Sequence, residues 1–254
     1  MSECAQNWRV KAILLDLDGT LTDPKIGITS CIRYALNGLN ITEVPDDLDW
    51  CIGPPLINSF ATLLNSNDTA LLDQALGLYR ARFSTVGMYE NSVYPEITQG
   101  LQQLQQAGFQ LYLATSKPHI YAKQILEHFE LNQFFNAVYG SELSGERTDK
   151  TELIHYILAQ EKLNPKQCVM VGDRKYDIIG AKNNGICSIA ITYGYGSRAE
   201  LNEACPDYMF EQFNRVVDFL IKKILDRTSS QNQPTLRQII KPLKTEALPP
   251  PESQ

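Results

Sequence analysis

Apolar residues gather along this chain in two rhythms. Short continuous runs, "AILLDL" (12–17), "FQLYLAT" (109–115), "NAVYGS" (136–141), "QCVMVGD" (167–173) and "CSIAIT" (187–192), show no alternation. They read as strands buried on both faces of a parallel sheet. Between the second and third, Ile120, Ile125, Leu126 and Phe129 fall near helical spacing; between the third and fourth, Leu153, Ile154, Ile157 and Leu158 form a stripe. Strand and helix in alternation predict an open α/β sheet.

The interval from about Thr22 to Ser92 carries no convincing strand. Its apolar residues form three amphipathic stripes: Ile28, Ile32, Ala35, Leu36 and Leu39; then Leu56, Phe60, Leu63 and Leu64; then Leu71, Leu72, Ala75, Leu76, Tyr79 and Phe83. A helical block after the first strand reads as a small inserted domain. The expected division is therefore a core of 1–21 and 93–227, a helical insertion of 22–92, and a polar, proline-rich tail of 228–254. That tail reads as disordered, with a short apolar patch at Leu236, Ile239 and Ile240.

Composition narrows the class. The 254 residues suffice for one large or two modest domains with real cores. A formal charge of −6 with no basic stripe offers no footprint for nucleic acid or an anionic membrane, which points to a small-molecule partner. Six scattered cysteines without a C-x-x-C pair, and only three histidines, speak against zinc. No apolar run reaches membrane-spanning length and "MSECAQNWR" lacks a signal-peptide core, so a reduced, cytoplasmic setting is expected.

The first strand runs into two carboxylates, Asp16 and Asp18, followed at once by Gly19 and Thr20. Alternation sends both acids to one side of the strand end, where parallel sheets bind ligands. Two such charges call for a nearby cation, and Mg²⁺ takes oxygen ligands in sites it shares with phosphate; a hairpin turn at Asp18-Gly19 is the plainer alternative. Thr115 and Ser116 end the second strand, as phosphate-binding hydroxyls or as a cap for the next helix. Lys150 opens a helix, on the unfavourable end of its dipole, where it either finds a negative partner or is an ordinary solvated lysine. Gly172-Asp173 ends the fourth strand, with Asp177 four residues on, placed to orient Lys150 or complete a metal shell.

In this order the segments resemble the haloacid dehalogenase superfamily, whose four motifs are matched by "DLDGT" (16–20), the hydroxyl of "ATSK" (114–117), Lys150 and "GDRKYD" (172–177). The resemblance spans about Val10 to Leu225. It implies a Rossmann-like three-layer core, with the insertion as a helical C1 cap. It also implies Asp16 as nucleophile, Asp18 as general acid and base, and Thr115 and Lys150 on the transferring phosphoryl group. Mg²⁺ would be held by Asp16, the main-chain carbonyl of Asp18, and Asp173, with Asp177 in support. Gly19, Thr20 and Ser116 are expected at the substrate phosphate. The carboxylate at Asp18 disfavours dehalogenation, since a halide needs no proton.

The cap sets the substrate. "DWCIGPPLINSF" (49–60), with Gly53, either reaches into the site or is an interhelical turn. Arg33 either meets a substrate anion or lies on a solvated helix face, and "TYGYGS" (192–197) either borders the site or is a flexible loop. "IGPPL" and "GDRKYDIIGAKNNGI" resemble the phosphoglycolate phosphatase-like and 5′-nucleotidase-like branch. The expected partner is a small phosphorylated metabolite, 2-phosphoglycolate or a nucleoside 5′-monophosphate, and the chain a monomer or homodimer. A phosphosugar mutase of the β-phosphoglucomutase type shares the same aspartates, and a non-catalytic phospho-acceptor module is a third reading.

Overall fold

The computed structural model describes residues 10–231. Its centre is a six-stranded, wholly parallel sheet. β1 (Ala12–Leu15) lies between β4 (Gln110–Pro118) and β6 (Cys168–Gly172); β5 (Ala137–Ser141) flanks β4, while β7 (Cys187–Ile191) and β8 (Tyr208–Phe210) extend the other side. The five expected strands are all present. β8 is an additional edge strand.

The alternating side chains of β1 show why the runs are continuous. Ile13 and Leu15 face a layer holding α4 (Ile97–Gln106), α5 (His119–His128) and α9 (Phe213–Gln231). Ala12 and Leu14 face α6 (Lys150–Gln160) and α7 (Lys175–Asn183), through Leu153, Ile154, Ile157 and Ala181. Helices on both faces leave no polar side to the strand. α8 (Arg198–Ala204) completes the core beside α7.

The insertion folds as α1 (Lys25–Gly38), α2 (Leu56–Leu63) and α3 (Thr69–Arg82). Ile28, Ile32, Ala35, Leu72, Ala75, Tyr79 and Phe83 are buried, as their stripes require. One expectation is corrected: the interval is not strand-free. β2 (Thr22–Asp23) and β3 (Ser92–Val93) pair antiparallel where the chain leaves and re-enters the core, Thr22 opposite Val93 and Asp23 opposite Ser92. Four residues are too few to show a periodicity. α9 also continues to Gln231, past the expected boundary at 227. Residues 228–231 of the expected disordered tail are thus helical, and the remainder, 232–254 with the apolar patch at Leu236, Ile239 and Ile240, lies outside the described residues. Among the described residues no helix is long and apolar enough to cross a membrane.

Candidate active site

β1 and β6 are hydrogen-bonded neighbours, and each ends in a carboxylate. The Asp16 amide donates to the Val171 carbonyl at 3.0 Å, which holds the two strand ends level. Three successive amides, of Thr20, Leu21 and Thr22, then fold back onto the Leu17 carbonyl. Gly19 sits in this turn at φ +82°, and a Cβ there would stand 2.2 Å from Asp173 Oδ2. Only glycine permits both the backbone and the approach.

Three carboxylates converge, though not the pair Asp16 and Asp18 that their spacing in the first strand singled out. Ligand atoms of Asp16, Asp173 and Asp177 lie within 4.8 Å of one another, and all three residues are buried. Lys150 reaches in from the first residue of α6. Its Nζ donates to Asp16 Oδ1 at 2.8 Å and to the Ala114 carbonyl at 2.6 Å, and pairs with Asp177 Oδ1 at 2.6 Å. Those are negative partners, and Lys150 is not an ordinary solvated lysine. Burial works against the ammonium, but Asp16 and Asp177 outweigh it and hold the Lys150 pKa above its ordinary value.

Asp18 is held apart from this trio. Its Oδ2 pairs with Lys117 Nζ at 2.9 Å, whereas Oδ1 is buried with no hydrogen-bond partner among the described residues. Burial pushes its carboxyl up, against the pull of Lys117 and with the help of Asp16. Asp173 accepts from Tyr195 N at 2.7 Å and from Thr20 Oγ1 at 3.2 Å. Burial first, then Asp16 and Asp177, raise it well above the usual carboxylate range. Burial also pushes Asp177 up to about 6, with Asp16 adding to it and Lys150 opposing.

The charge count tests whether a metal belongs here. Asp16, Asp173 and Asp177 are buried and have one salt-bridge partner among the described residues, the Lys150 ammonium, while Asp18 is paired with Lys117 and the nearby Arg174 with Glu200. When ionised, the trio exceeds that one cation by two negative charges, which fits one divalent cation on an all-oxygen donor set.

Above these residues a cleft of about 300 Å³ opens between core and cap. Asp16, Asp18, Thr115, Ser116, Lys150 and Asp177 line it from below, and Gly53, Leu56, Leu76, Tyr79 and Phe83 from the cap. Thr115 does not cap α5, whose N-cap is Pro118 with no side-chain bond; its Oγ1 accepts from Lys117 N at 3.2 Å. The "TYGYGS" segment borders the site through Tyr195 N, and Tyr193 Oη donates to the Thr20 carbonyl at 2.6 Å.

Several expectations are redistributed. Gly19 and Thr20 do not line the cleft; they shape the surroundings of Asp173. Asp177, expected in support, joins the carboxylate trio, while the Asp18 side chain is taken by Lys117. Arg33 is exposed and donates to the carbonyls of Pro45 and Asp46 at 3.1 and 2.8 Å, away from the cleft. Lys117 and Arg174 were not singled out. Lys117 stood in the "ATSK" motif, and Arg174 directly follows Asp173, so both were adjacent to a recognised residue.

Fold and site together define a Rossmann-like α/β core with a helical cap, closed over a cluster of buried aspartates. The chain belongs to the haloacid dehalogenase-like hydrolase family, whose model matches residues 13–191, and is a phosphoric monoester hydrolase. It is 45% identical over 202 residues to the 5′-nucleotidase of Pseudomonas aeruginosa, covering 79% of this chain and 90% of that one. It is 37% identical over 185 residues to the tyrosine-protein kinase PtkA of Mycobacterium tuberculosis, covering 72% of this chain and 62% of that one. A crystal structure of a "predicted phosphatase" from Clostridium acetobutylicum superposes with a TM-score of 0.78 at 42% identity, covering 86% of this chain and 99% of that one.

Proposed function

We propose that this phosphatase hydrolyses nucleoside 5′-monophosphates with Mg²⁺, through an aspartyl-phosphate on Asp16. The observation that carries the reading is the division of labour between two carboxylates on one strand end. Asp16 is fixed by Lys150, while Asp18 is held on one oxygen and open on the other. Asp16 attacks phosphorus in line as the bond to the leaving oxygen breaks, and protonated Asp18 gives its proton to that oxygen. Asp18, now ionised, takes a proton from the water that attacks the aspartyl-phosphate, which frees Asp16 and phosphate. Lys150, with Thr115 and Ser116, stabilises the charge on the transferring oxygens. Mg²⁺ would be held by Asp16, Asp173 and Asp177, with the main chain of Asp18, and would neutralise phosphoryl charge.

Substrate choice follows from what the cleft has left over. Lys117 and Lys150 are paired with aspartates, Arg174 with Glu200, and Arg80 with the Leu143 carbonyl at 3.0 Å. Among the described cations that line the cleft, Arg80 is the one without a carboxylate partner, and the carboxylate of 2-phosphoglycolate would have to compete with the Leu143 carbonyl for it. The half-buried Tyr121, Leu76 and Pro54, backed by the buried Tyr79 and Phe83, instead offer aromatic and apolar surface to a nucleoside. Thiols at Cys31, Cys51, Cys168 and Cys205 suit a cytoplasmic setting.

Phosphate release is measured with Mg²⁺ from nucleoside 5′-monophosphates, 2-phosphoglycolate and a hexose 1-phosphate. The nucleotides are expected to lead in kcat/KM by about tenfold or more. Preference for 2-phosphoglycolate, or isomerisation of the hexose phosphate without phosphate release, overturns the reading.

A further inference from the structure

One side chain joins the roof of the cleft to its metal loop. Arg174 follows Asp173 and is buried. Its Nε donates to Glu200 Oε1 at 2.9 Å and its Nη2 to Oε2 at 3.2 Å, a forked pair that fixes the guanidinium plane. Its Nη1 donates to the main-chain carbonyl of Ile52, in the cap. Glu200 is itself pinned: it also accepts from Lys175 N at 3.0 Å, and its own amide is capped by Ser197 Oγ at 3.1 Å. On the cap side Gly53 adopts φ +103°, and a Cβ there would stand 2.8 Å from Arg174 Cγ. The loop is shaped to receive the guanidinium. Behind Gly53, Pro54, Pro55 and Leu56 line the cleft.

We infer that Arg174, braced by Glu200, is the latch that holds the 52–55 loop of the cap over the phosphoryl site. It is a positioning residue. Without it the roof lifts while the carboxylates beneath keep their places. Substrate then meets a closed state populated only part of the time, so apparent KM rises as that fraction falls, and bound substrate restores closure. Lysine cannot replace the fork.

The inference rests on the phosphatase reading only for its kinetic arm. The full chain is compared with Arg174→Met, Arg174→Lys and Glu200→Gln in hydrolysis of p-nitrophenyl phosphate with Mg²⁺ and in amide hydrogen exchange. KM is expected to rise about tenfold for both Arg174 variants, with kcat within about threefold of the original. Exchange quickens at 49–57 and not in β1 or β6. Glu200→Gln moves both readouts the same way by less. Should the Arg174 variants fold poorly, Gly53→Ala sets a Cβ against the same guanidinium and is expected to raise KM and exchange alike. Combined with Glu200→Gln, it should give less than the sum of the two effects.

Unchanged KM and unchanged exchange at 49–57 in folded variants overturn the latch. A fall in kcat at constant KM also overturns it, by placing Arg174 in the chemistry. A protein that hydrolyses the aryl phosphate but no nucleotide sinks the substrate reading and leaves the latch standing.

Discussion

The floor and the roof of the cleft are built by opposite means. On the floor, Lys150 alone contacts Asp16, Asp177 and the Ala114 carbonyl within 2.8 Å, and Asp173 is gripped on both oxygens. On the roof, directional contacts to the core include Arg174 on Ile52, Arg80 on Leu143, Lys117 Nζ 4.3 Å above the Phe83 ring and Phe83 edge-on to Tyr121, with Tyr195 on Asp23 and Tyr89 against His128 farther out. The rest is apolar surface. On a floor of buried charges the loss of a cation leaves its carboxylates uncompensated. A roof of side-chain shapes tolerates exchange at modest cost. On the proposed function, chemistry is thereby fixed on the floor while selection remains adjustable above it.

The largest effect should come from Asp16, the floor residue that the proposed mechanism makes the nucleophile. Asp16→Asn is expected to lower phosphate release by about 10⁴-fold or more. It removes one of three crowded carboxylates, and Lys150 keeps Asp177 and the Ala114 carbonyl. Melting temperature should therefore stay within a few degrees of the parent. Phosphate assays beside thermal unfolding check both halves, and turnover near the parent's would remove the contrast at its source.

The next effect concerns the two residual negative charges. Burial holds the carboxyls of Asp18 and Asp173 above their ordinary range and Asp177 at about 6. An acid whose folded pKa exceeds its unfolded value binds its proton more tightly when folded. Without metal, these groups favour the folded state at low pH, and that contribution is lost as pH rises from the ordinary carboxylate range through about 6 for Asp177. A divalent cation binds the ionised forms, so with metal saturating the slope reverses. At a hundredfold excess over Kd the metal should add about 2.7 kcal/mol, roughly 5–10 °C in melting temperature. Melting scans from pH 4 to 8 with Mg²⁺ or with EDTA measure this. Parallel slopes in the two series would mean that the floor needs no cation.

The same contrast explains what the sequence disclosed. Asp16, Asp18, Lys150 and Asp173 lie at strand ends or a helix start, and a parallel sheet brings those ends together, so backbone pattern alone assembled the floor. What side chains do after assembly was hidden. Thr20 has the hydroxyl expected of a phosphate ligand but spends it on Asp173, and Lys117 finds its partner on a different strand end. The stripes of α1 and α3 showed which residues are buried, not that Phe83 and Tyr79 also wall the cleft. β2, β3 and β8 were too short for any period to register.

The smallest effects separate two cap residues, one that lines the cleft and one that the sequence offered as a substrate contact. Phe83 is buried, stacks on Tyr79 at 5.3 Å and meets Tyr121 edge-on at 5.4 Å across the domain boundary. Phe83→Leu keeps an apolar side chain but gives up two ring contacts and the face beneath Lys117. About 1 kcal/mol of stability and a several-fold rise in nucleotide KM are expected, with kcat for p-nitrophenyl phosphate little changed. Arg33→Ala gives up only two exposed hydrogen bonds to cap carbonyls. Its kcat/KM should stay within about twofold and its stability within about 0.5 kcal/mol. Steady-state kinetics on both substrates, with thermal melts, distinguish the pair. If Arg33→Ala costs as much as Phe83→Leu, selection extends over the outer cap and not only over the surface that faces the floor, because an exposed guanidinium bonded to its own loop can reach substrate only by abandoning those bonds.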